Sequence, residues 1–290
     1  MHKTIEELLD KGPVVTDGAW GTELMKKGMK AGECPEIWNL TQPEKVAEVA
    51  TSYVDAGSRV ILTNTFGGNR FVLSRYNMDN KVKEINREGV AISKKAAADR
   101  ALVFASMGPS GKMLIMKDVT EGELREAFQE QAEAIKDAGA DAIVIETMTD
   151  INEALIAIEA AKTTGLALVA SMVFDAGKEK DRTMMGNTIE EMAEKFASGG
   201  VDVLGSNCGK GIEGFVPVCR KMKKNTALPI WIKANAGSPE YKNGETVYNT
   251  TPEDYAACVP MLIETGADFI GGCCGTNPDF IRAIKDKLDC

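Results

Sequence analysis

Seven cysteines and a single histidine limit the chemistry that this 290-residue chain can perform. The histidine, His2, lies beside the N-terminus, where we expect it to be mobile. Ser-His-Asp catalysis, Cys-His catalysis and histidine-rich metal sites are therefore excluded. Thiols, carboxylates, amides and hydroxyls remain for any reaction. The thiols belong to Cys34, Cys208, Cys219, Cys258, Cys273, Cys274 and Cys290.

Three of these cysteines follow apolar segments that we interpret as β-strands. Cys208 stands in Ser-Asn-Cys-Gly, and Cys273 and Cys274 are adjacent in Gly-Gly-Cys-Cys-Gly-Thr. Three thiolates that meet at one point would form a zinc site with three protein ligands and a fourth position for water or substrate. A substrate thiol in that position would lose its proton and become nucleophilic at neutral pH.

The cysteine pattern also allows other interpretations. A redox-active vicinal disulfide could join Cys273 to Cys274, and it would not need Cys208. Buried cysteines commonly serve as small core residues. The pattern assigns no chemistry to the other four, which are Cys34 in a loop, Cys219 and Cys258 in helical stretches, and the terminal Cys290, which we expect to be exposed.

Two carboxylates stand at the ends of predicted strands, at Asp17 and at Glu146. One or both could bind a ligand ammonium, while backbone amides in the glycine-containing turn after Asp17 could bind a carboxylate. Together these groups would hold an amino acid by both charged ends. Three alternatives remain: an Asx turn before Gly18, a structural ion pair at Glu146, and a general acid–base pair.

Short apolar segments alternate with longer segments of helical periodicity along the whole chain. Helices are predicted over Pro43–Ala56, Glu121–Ala138 and Pro252–Thr265, among others. Apolar runs of four or five residues are typical of strands that are covered on both faces, as in a parallel sheet. The eight predicted strands are Val14–Asp17, Arg59–Thr63, Leu102–Met107, Ala142–Glu146, Leu166–Ser171, Asp202–Ser206, Pro229–Ala234 and Asp268–Gly272.

Eight β/α units in 290 residues predict a single (β/α)8 TIM barrel over residues 1–290. A glycine before an apolar strand recurs four times, in AGSRVILTN, AGADAIVIET, GGVDVLGSN and TGADFIGG. A doubly wound sheet is the competing architecture, but the first strand ends in DGAWGT and lacks the dinucleotide-binding glycine spacing. In a barrel, the residues after each strand line the active-site end.

The composition excludes several classes of protein. There are 34 Lys+Arg against 43 Asp+Glu, a net charge of −9, which argues against sequence-independent nucleic-acid binding. No apolar run approaches a membrane span, and the charged N-terminus lacks the apolar stretch of a signal peptide. We therefore expect a cytoplasmic location, where cysteines stay reduced.

The motifs DGAWGT, TNTFGGNR, GPSG, IET, SNCG, NAG and GGCCGT occur in this order. With them the sequence resembles the homocysteine S-methyltransferase family, and most of all the homocysteine-binding domain of cobalamin-dependent methionine synthases. The resemblance runs from about Gly12 to Leu288. It implies a zinc-bearing (β/α)8 barrel that methylates homocysteine to methionine.

Site residues follow from the same resemblance. Cys208, Cys273 and Cys274 match the zinc ligands of the family, and they would carry the catalysis. The positions that match the substrate-binding groups are Asp17 and Glu146 for the ammonium, the backbone of Gly18, Ala19 and Trp20 for the carboxylate, and Asn64 and Asn235 at the rim.

The methyl donor implied by the closest resemblance is a methylcorrinoid. No Asp-x-His-x-x-Gly corrinoid motif is possible with His2 as the only histidine, so methylcobalamin would arrive on a separate corrinoid protein. S-methylmethionine or S-adenosylmethionine is an alternative donor. Trp20 stands where methionine synthases usually have Met, and its ring could narrow the pocket or cover the substrate.

Three further functions remain open at this stage. The chain could be a demethylase component that exchanges methyl groups between a corrinoid protein and another substrate. It could be a barrel enzyme that uses Asp17 and Glu146 as acid and base, with the cysteines incidental. It could also be a non-catalytic component that binds zinc or docks a corrinoid protein.

Overall fold

The computed structural model describes residues 1–242 and 245–288, and its centre is a parallel sheet of eight strands. Around the sheet the strands follow the order β1-β10-β7-β6-β5-β4-β3-β2. The strands of the sheet are β1 (Val14–Val15), β2 (Val60–Ile61), β3 (Leu102–Met107), β4 (Ala142–Met148), β5 (Ala167–Met172), β6 (Val203–Gly211), β7 (Ile230–Asn235) and β10 (Ala267–Gly272).

The sheet closes between its two shortest strands. Thr16 forms a parallel bridge with Val60, and the Arg59 N–H donates to the carbonyl of Val15 at 2.8 Å. A closed parallel sheet with a helix between successive strands is a (β/α)8 barrel, so the predicted fold class is confirmed and a doubly wound sheet is excluded. All eight predicted strands are present.

Thirteen α-helices accompany the strands among the described residues. Helices α4 and α7 end one residue before the predicted limits of Ala56 and Ala138. The helices are α1 (Lys3–Leu9), α2 (Gly21–Lys26), α3 (Trp38–Thr41), α4 (Pro43–Asp55), α5 (Arg70–Ser74), α6 (Val82–Ala97), α7 (Glu121–Asp137), α8 (Ile151–Lys162), α9 (Ile189–Gly199), α10 (Phe215–Asn225), α11 (Pro252–Ala257), α12 (Val259–Glu264) and α13 (Pro278–Leu288).

The prediction of one helix over Pro252–Thr265 is wrong, because the segment is divided at Cys258 into α11 and α12. Pro260 is the second residue of α12. Its ring would clash with the carbonyl four residues earlier in a continuous helix, and it has no N–H for that carbonyl. A proline is accommodated in the first turn of a new helix, where N–H groups lack intrahelical partners.

Two further features differ from the sequence-based expectations. His2 forms two hydrogen bonds: its N–H donates to Asp202 at 2.6 Å, and its ring accepts from the Thr4 N–H, which caps α1. Asp202 precedes β6, so the histidine lies at the opposite end of that strand from Cys208. A short antiparallel hairpin of β8 (Glu240–Lys242) and β9 (Glu245–Val247) also follows β7 and was not predicted.

The recurring glycine before a strand has one structural explanation. Gly57, Gly139, Gly200 and Gly266 all adopt positive φ, between 81° and 104°. Each ends a helix in a left-handed conformation that only glycine adopts without strain, and it directs the chain back into the sheet. The repeated phrase therefore corresponds to the repeated helix-to-strand turn of the barrel.

The barrel interior changes character along its axis. The part nearer the amino-terminal ends of the strands holds a buried cluster that includes Phe104, Trp231 and Phe269. The centroid of the Trp231 ring lies 6.2 Å from that of Phe104 and 5.4 Å from that of Phe269. Alternate residues of a strand face the same side, so Lys233 and Asn235 follow Trp231 on the inner face. A second, larger core fills the space between sheet and helices. No helix within the described ranges is long and apolar enough to cross a membrane.

Replacement of Gly271 by alanine tests how closely β1 and β10 pack. A Cβ at Gly271 would lie 2.0 Å from Thr16 Oγ1 and 2.6 Å from the Asp17 carbonyl. We expect Gly271→Ala to lower the free energy of unfolding by about 3 kcal/mol, because backbone must move. Gly21, with no atom within 4 Å, is the matched control. An equal effect of both substitutions in urea unfolding would contradict the close packing.

Candidate metal centre

Three thiols converge at the carboxyl ends of β6 and β10. The Sγ atoms of Cys208, Cys273 and Cys274 all lie within 4.8 Å of one another, and those of Cys208 and Cys274 are 4.0 Å apart. The three side chains are half-buried and free of disulfides. Among the described residues they form the one group of three or more potential metal ligands.

Three further cysteines of the described residues lie outside this cluster. Cys34 and Cys219 are buried, and Cys258 is half-buried between α11 and α12. The Cys34 thiol donates to Glu36 at 3.0 Å, and burial followed by that carboxylate raises its pKa to about 12. Cys290 lies outside the described residues.

Cys208 reaches the cluster because β6 bulges at its carboxyl end. The pairing of β6 with β7 shifts register between Asn207 and Gly211. Cys208 has φ +62° and Gly209 has φ +77°, a left-handed conformation that is unusual for a residue with a Cβ. A Cβ at Gly209 would lie 2.9 Å from Val173, so the bulge packs closely against the neighbouring chain.

The Asn207 amide connects three strands and one thiol. Its Oδ1 accepts from the Thr147 N–H at 2.9 Å and from the Ser171 hydroxyl at 2.6 Å. Its Nδ2 donates to Thr147 Oγ1 at 2.7 Å and lies 4.0 Å from the Cys273 sulfur. Thr147 also has a positive φ, within a second register shift on β4. One buried amide therefore fixes both irregular strand ends and orients a thiol.

The close approach of the sulfurs couples their ionisation. Hydrogen bonds from Cys273 and Cys274 lower the pKa of Cys208 and raise those of the two donors. Tyr248 lies beside them and hydrogen-bonds Cys274. Burial, followed by the charge of Cys274, raises the pKa of Tyr248 to about 12. A Cβ at Gly275 would lie 2.3 Å from the Tyr248 ring, so glycine after the cysteine pair makes room for tyrosine.

Asp17 is fully buried, and both of its oxygens accept from the protein. One oxygen forms an ion pair with Lys233. The other accepts from the Trp20 indole N–H and from the Leu62 N–H, each at 2.7 Å. Trp20 is half-buried and packs against the core, and its indole nitrogen is directed at Asp17.

Glu146 is buried but accepts fewer hydrogen bonds than Asp17 from the described residues. Its Oε1 accepts from the Ser106 hydroxyl at 2.5 Å, and this is its single hydrogen bond to the part of the chain that is described. Burial raises the pKa of Glu146, while the charge of Lys233 and the Ser106 bond lower it. Its carboxylate interacts electrostatically with both Asp17 and Cys208, so it belongs to the same site.

The turn after Asp17 packs closely against α4 and against the loop after β10 that carries the cysteine pair. A Cβ at Gly18 would lie 2.8 Å from the Tyr53 ring and 2.9 Å from Thr276 Oγ1. The Ala19 N–H donates to Thr276 Oγ1 at 3.2 Å, and the Ala19 carbonyl accepts from Tyr53 at 2.6 Å. The Ala19 amide is thus engaged within the protein.

The two predicted rim asparagines differ in their surroundings. Asn64 donates both amide hydrogens, to the Pro35 carbonyl at 2.7 Å and to Asn39 at 2.9 Å, which joins two loops. Asn235 follows Lys233 on β7 and hydrogen-bonds the Cys208 sulfur. Its Oδ1 is buried without a partner among the described residues, so Asn235 brings an unsatisfied oxygen to the thiol cluster.

Several residues of the site were not singled out in the sequence. Lys233 stands in the otherwise apolar segment Ile230–Asn235, and a charge within a buried strand is a usable signal. The hydroxyl and amide partners carried no such signal, since Ser, Thr and Asn are common near strand ends. They are Ser106, Thr147, Ser171, Asn207, Tyr248 and Thr276.

Comparison with known proteins agrees with this arrangement. The family model described as homocysteine S-methyltransferase matches residues 14–288, nearly the whole chain. The chain belongs to the homocysteine S-methyltransferase family. The resemblance that the motifs suggested is therefore confirmed.

Curated relatives of this chain include methionine synthases from two mycobacteria. The Mycobacterium leprae enzyme is 29% identical over 294 residues, which cover 96% of this chain and 24% of the relative. The Mycobacterium tuberculosis enzyme is 28% identical, with 96% and 25% covered. The chain therefore spans about a quarter of the length of these relatives.

Solved structures of the homocysteine methyltransferase MmuM from Escherichia coli have the same fold. The metallated form has a TM-score of 0.81 at 24% identity, covering 98% of this chain and all of that one. The oxidized form has a TM-score of 0.79 at 26% identity, covering 99% and 100%.

Burial of Glu146 makes stability depend on pH. Its folded-state pKa is raised above the ordinary 4.5, so the favourable contribution of the protonated form is present below 4.5 and is lost as pH rises through the folded pKa. We expect Glu146→Gln to gain unfolding free energy relative to wild type from pH 4 to pH 8. Urea unfolding of the metal-free protein measures this, with exposed Glu126→Gln as control. A wild-type advantage that grows with pH would contradict the burial argument.

Proposed function

We propose that this chain transfers a methyl group to the sulfur of homocysteine and forms methionine, with zinc held by Cys208, Cys273 and Cys274. The observation that carries the proposal is the convergence of three thiols at the carboxyl end of a barrel, the end where such barrels place their active sites. Family membership supports the acceptor and the reaction.

The cluster fits a zinc ion by size and by chemistry. Zinc–sulfur bonds of about 2.3 Å in a tetrahedral site separate the sulfurs by about 3.8 Å, and Cys208 and Cys274 are 4.0 Å apart. Thiolates are the preferred ligands of zinc in proteins. The buried, unpartnered Oδ1 of Asn235 beside Cys208 is a further indication that the cluster is built around a group that attracts electron pairs.

Zinc bound by three thiolates would supply a positive charge that lowers the pKa of a homocysteine thiol and favours its thiolate at neutral pH. The protein residues hold the reactants. Asn207 orients Cys273 through its amide, and Tyr248 donates to Cys274. Such support restricts the orientation of the sulfurs and makes the site rigid. A thiolate held in line with a methyl group attacks the carbon, and the donor departs with the bonding electrons.

The remaining polar groups fit the two charged ends of an amino acid. Glu146, with a single donor from the described chain, is available to an ammonium group. In the turn of Gly18, Ala19 and Trp20, the Ala19 N–H already donates to Thr276, so the backbone N–H groups of Gly18 and Trp20 are the ones assigned to the carboxylate. The aliphatic part of homocysteine would lie between these groups and the thiols.

The exposed apolar loops after β3 and β5 favour a methylcorrinoid carried by a protein as the methyl donor. The loops after β3 and β5 expose large apolar side chains: Met113 at 45%, Ile115 at 68%, Met116 at 70% and Met184 at 71%. Leu114 and Ile115 line the same surface groove as Met185, so the two loops adjoin. An exposed apolar patch is typical of a surface that docks a protein, and a small sulfonium donor would not need it.

Zinc content tests the metal assignment. We expect the purified protein to bind about one zinc ion per chain, and Cys208→Ser to lose most of the metal together with methionine formation. Cys258→Ser, at a half-buried cysteine away from the cluster, is the matched control and should keep both. Full zinc stoichiometry in Cys208→Ser would contradict the assignment.

Substitutions on the exposed apolar loop after β3 test the identity of the methyl donor. We expect Ile115→Glu with Met116→Glu to lower the rate of methionine formation from a protein-bound methylcorrinoid by about tenfold, because charges would be buried on docking. The rate with free methylcobalamin should change by less than about twofold. Met261→Glu, on α12 and 52% exposed, is the control. Activity with S-methylmethionine or S-adenosylmethionine alone would instead favour a small donor.

A further inference from the structure

The Asp17 carboxylate is buried and already accepts from three strong donors. Lys233 engages Oδ1, while the Trp20 indole and the Leu62 amide engage Oδ2. Asp17 is 0% exposed. A ligand ammonium that displaced one of these three donors would leave a buried donor without a partner.

Lys233 is a buried cation that lies between the Trp231 ring and the Asp17 carboxylate. It is 2% exposed, and its Nζ lies 5.9 Å from the centroid of the Trp231 ring at the top of the apolar interior. It forms an ion pair with Asp17, and its charge also acts on Glu146. A buried ammonium needs a compensating anion, and Asp17 supplies it.

Asp17, Lys233 and Glu146 together carry a single negative charge when all three are ionised. Asp17 and Lys233 neutralise each other, and Glu146 contributes −1. Two uncompensated buried carboxylates would repel each other and bind protons. With the lysine present, one carboxylate can stay ionised at low cost, and one cation can balance it.

We propose that Lys233 holds Asp17 as an internal ion pair, so that Glu146 alone binds the ammonium of the acceptor. The inference rests on the proposed function, because it assigns the group that recognises homocysteine within the same site. It differs from the expectation that Asp17 and Glu146 share the ammonium. In this chain Asp17 is a positioning residue that acts through Lys233.

The two assignments of Asp17 predict opposite results in a double variant. In Asp17→Asn, Lys233 loses its anion and pairs with Glu146, which then cannot bind an ammonium. Removal of the lysine as well, in Asp17→Asn with Lys233→Met, leaves a neutral pair beside an intact Glu146. Binding should therefore recover. If Asp17 contacted the ammonium directly, binding would stay lost.

Calorimetric titration of the zinc-loaded protein measures this with two thiols. One is homocysteine, and the other is 4-sulfanylbutanoate, which has the same chain and carboxylate but no ammonium. We expect wild type to prefer homocysteine by about 30-fold, and both Asp17→Asn and Glu146→Gln to lose that preference. The Asp17→Asn/Lys233→Met variant should recover the preference to within about threefold of wild type. A double variant as weak as Asp17→Asn would overturn the proposal.

Unfolding measurements test the ion pair without any ligand. Asp17→Asn and Lys233→Met should each lower the urea midpoint, and the double variant should lie above the lower single variant, because a single substitution leaves a buried charge. The exposed Arg87–Asp137 pair supplies a control cycle with additive effects. Additive effects at Asp17 and Lys233 would overturn the pairing.

The outcomes separate this proposal from the proposed function. A wild-type protein that binds zinc but not homocysteine would contradict the proposed acceptor and with it the role of Lys233. Wild type that binds homocysteine and a double variant that does not would contradict the role of Lys233 alone.

Discussion

The site depends on one constraint, the closure of a parallel sheet around an interior that every strand must help to fill. Inward-facing residues occupy successive layers, so the aromatic layer of Phe104, Trp231 and Phe269 is followed by polar side chains. Those groups are buried and must satisfy one another. The Lys233–Asp17 pair and the Asn207 amide do so, and the thiols lie at the open end beyond them.

Burial and charge act together on the polar layer. Burial disfavours the ionised form of Glu146. The lysine lowers the pKa of Glu146 against the larger effect of burial. Fixed donors such as Ser106 and the Trp20 indole then decide which oxygens are already occupied. The resulting pocket is selective because few of its groups remain free.

Much of this arrangement could be predicted because it follows from local patterns. Apolar strands, left-handed glycines and strand-end motifs indicate a barrel. A barrel brings Cys208 to the cysteine pair, although 64 residues of the chain lie between Cys208 and Cys273. The Lys233–Asp17 pair was missed because its partners are 216 residues apart and the depth of each side chain depends on register. The bulge at Cys208 follows from a register shift that no sequence pattern marked. The break at Cys258, by contrast, could have been read from Pro260.

The left-handed backbone at Cys208 has a consequence for how the centre is assembled. A residue with a side chain is sterically strained there, and the hydrogen bonds of the preceding Asn207 to Thr147 and Ser171 hold the segment in that shape. Folding therefore delivers the thiols already arranged, and capture of a ligand requires little loss of chain entropy. Such preorganisation favours tight, rapid uptake over a centre that must be drawn together by the ligand itself.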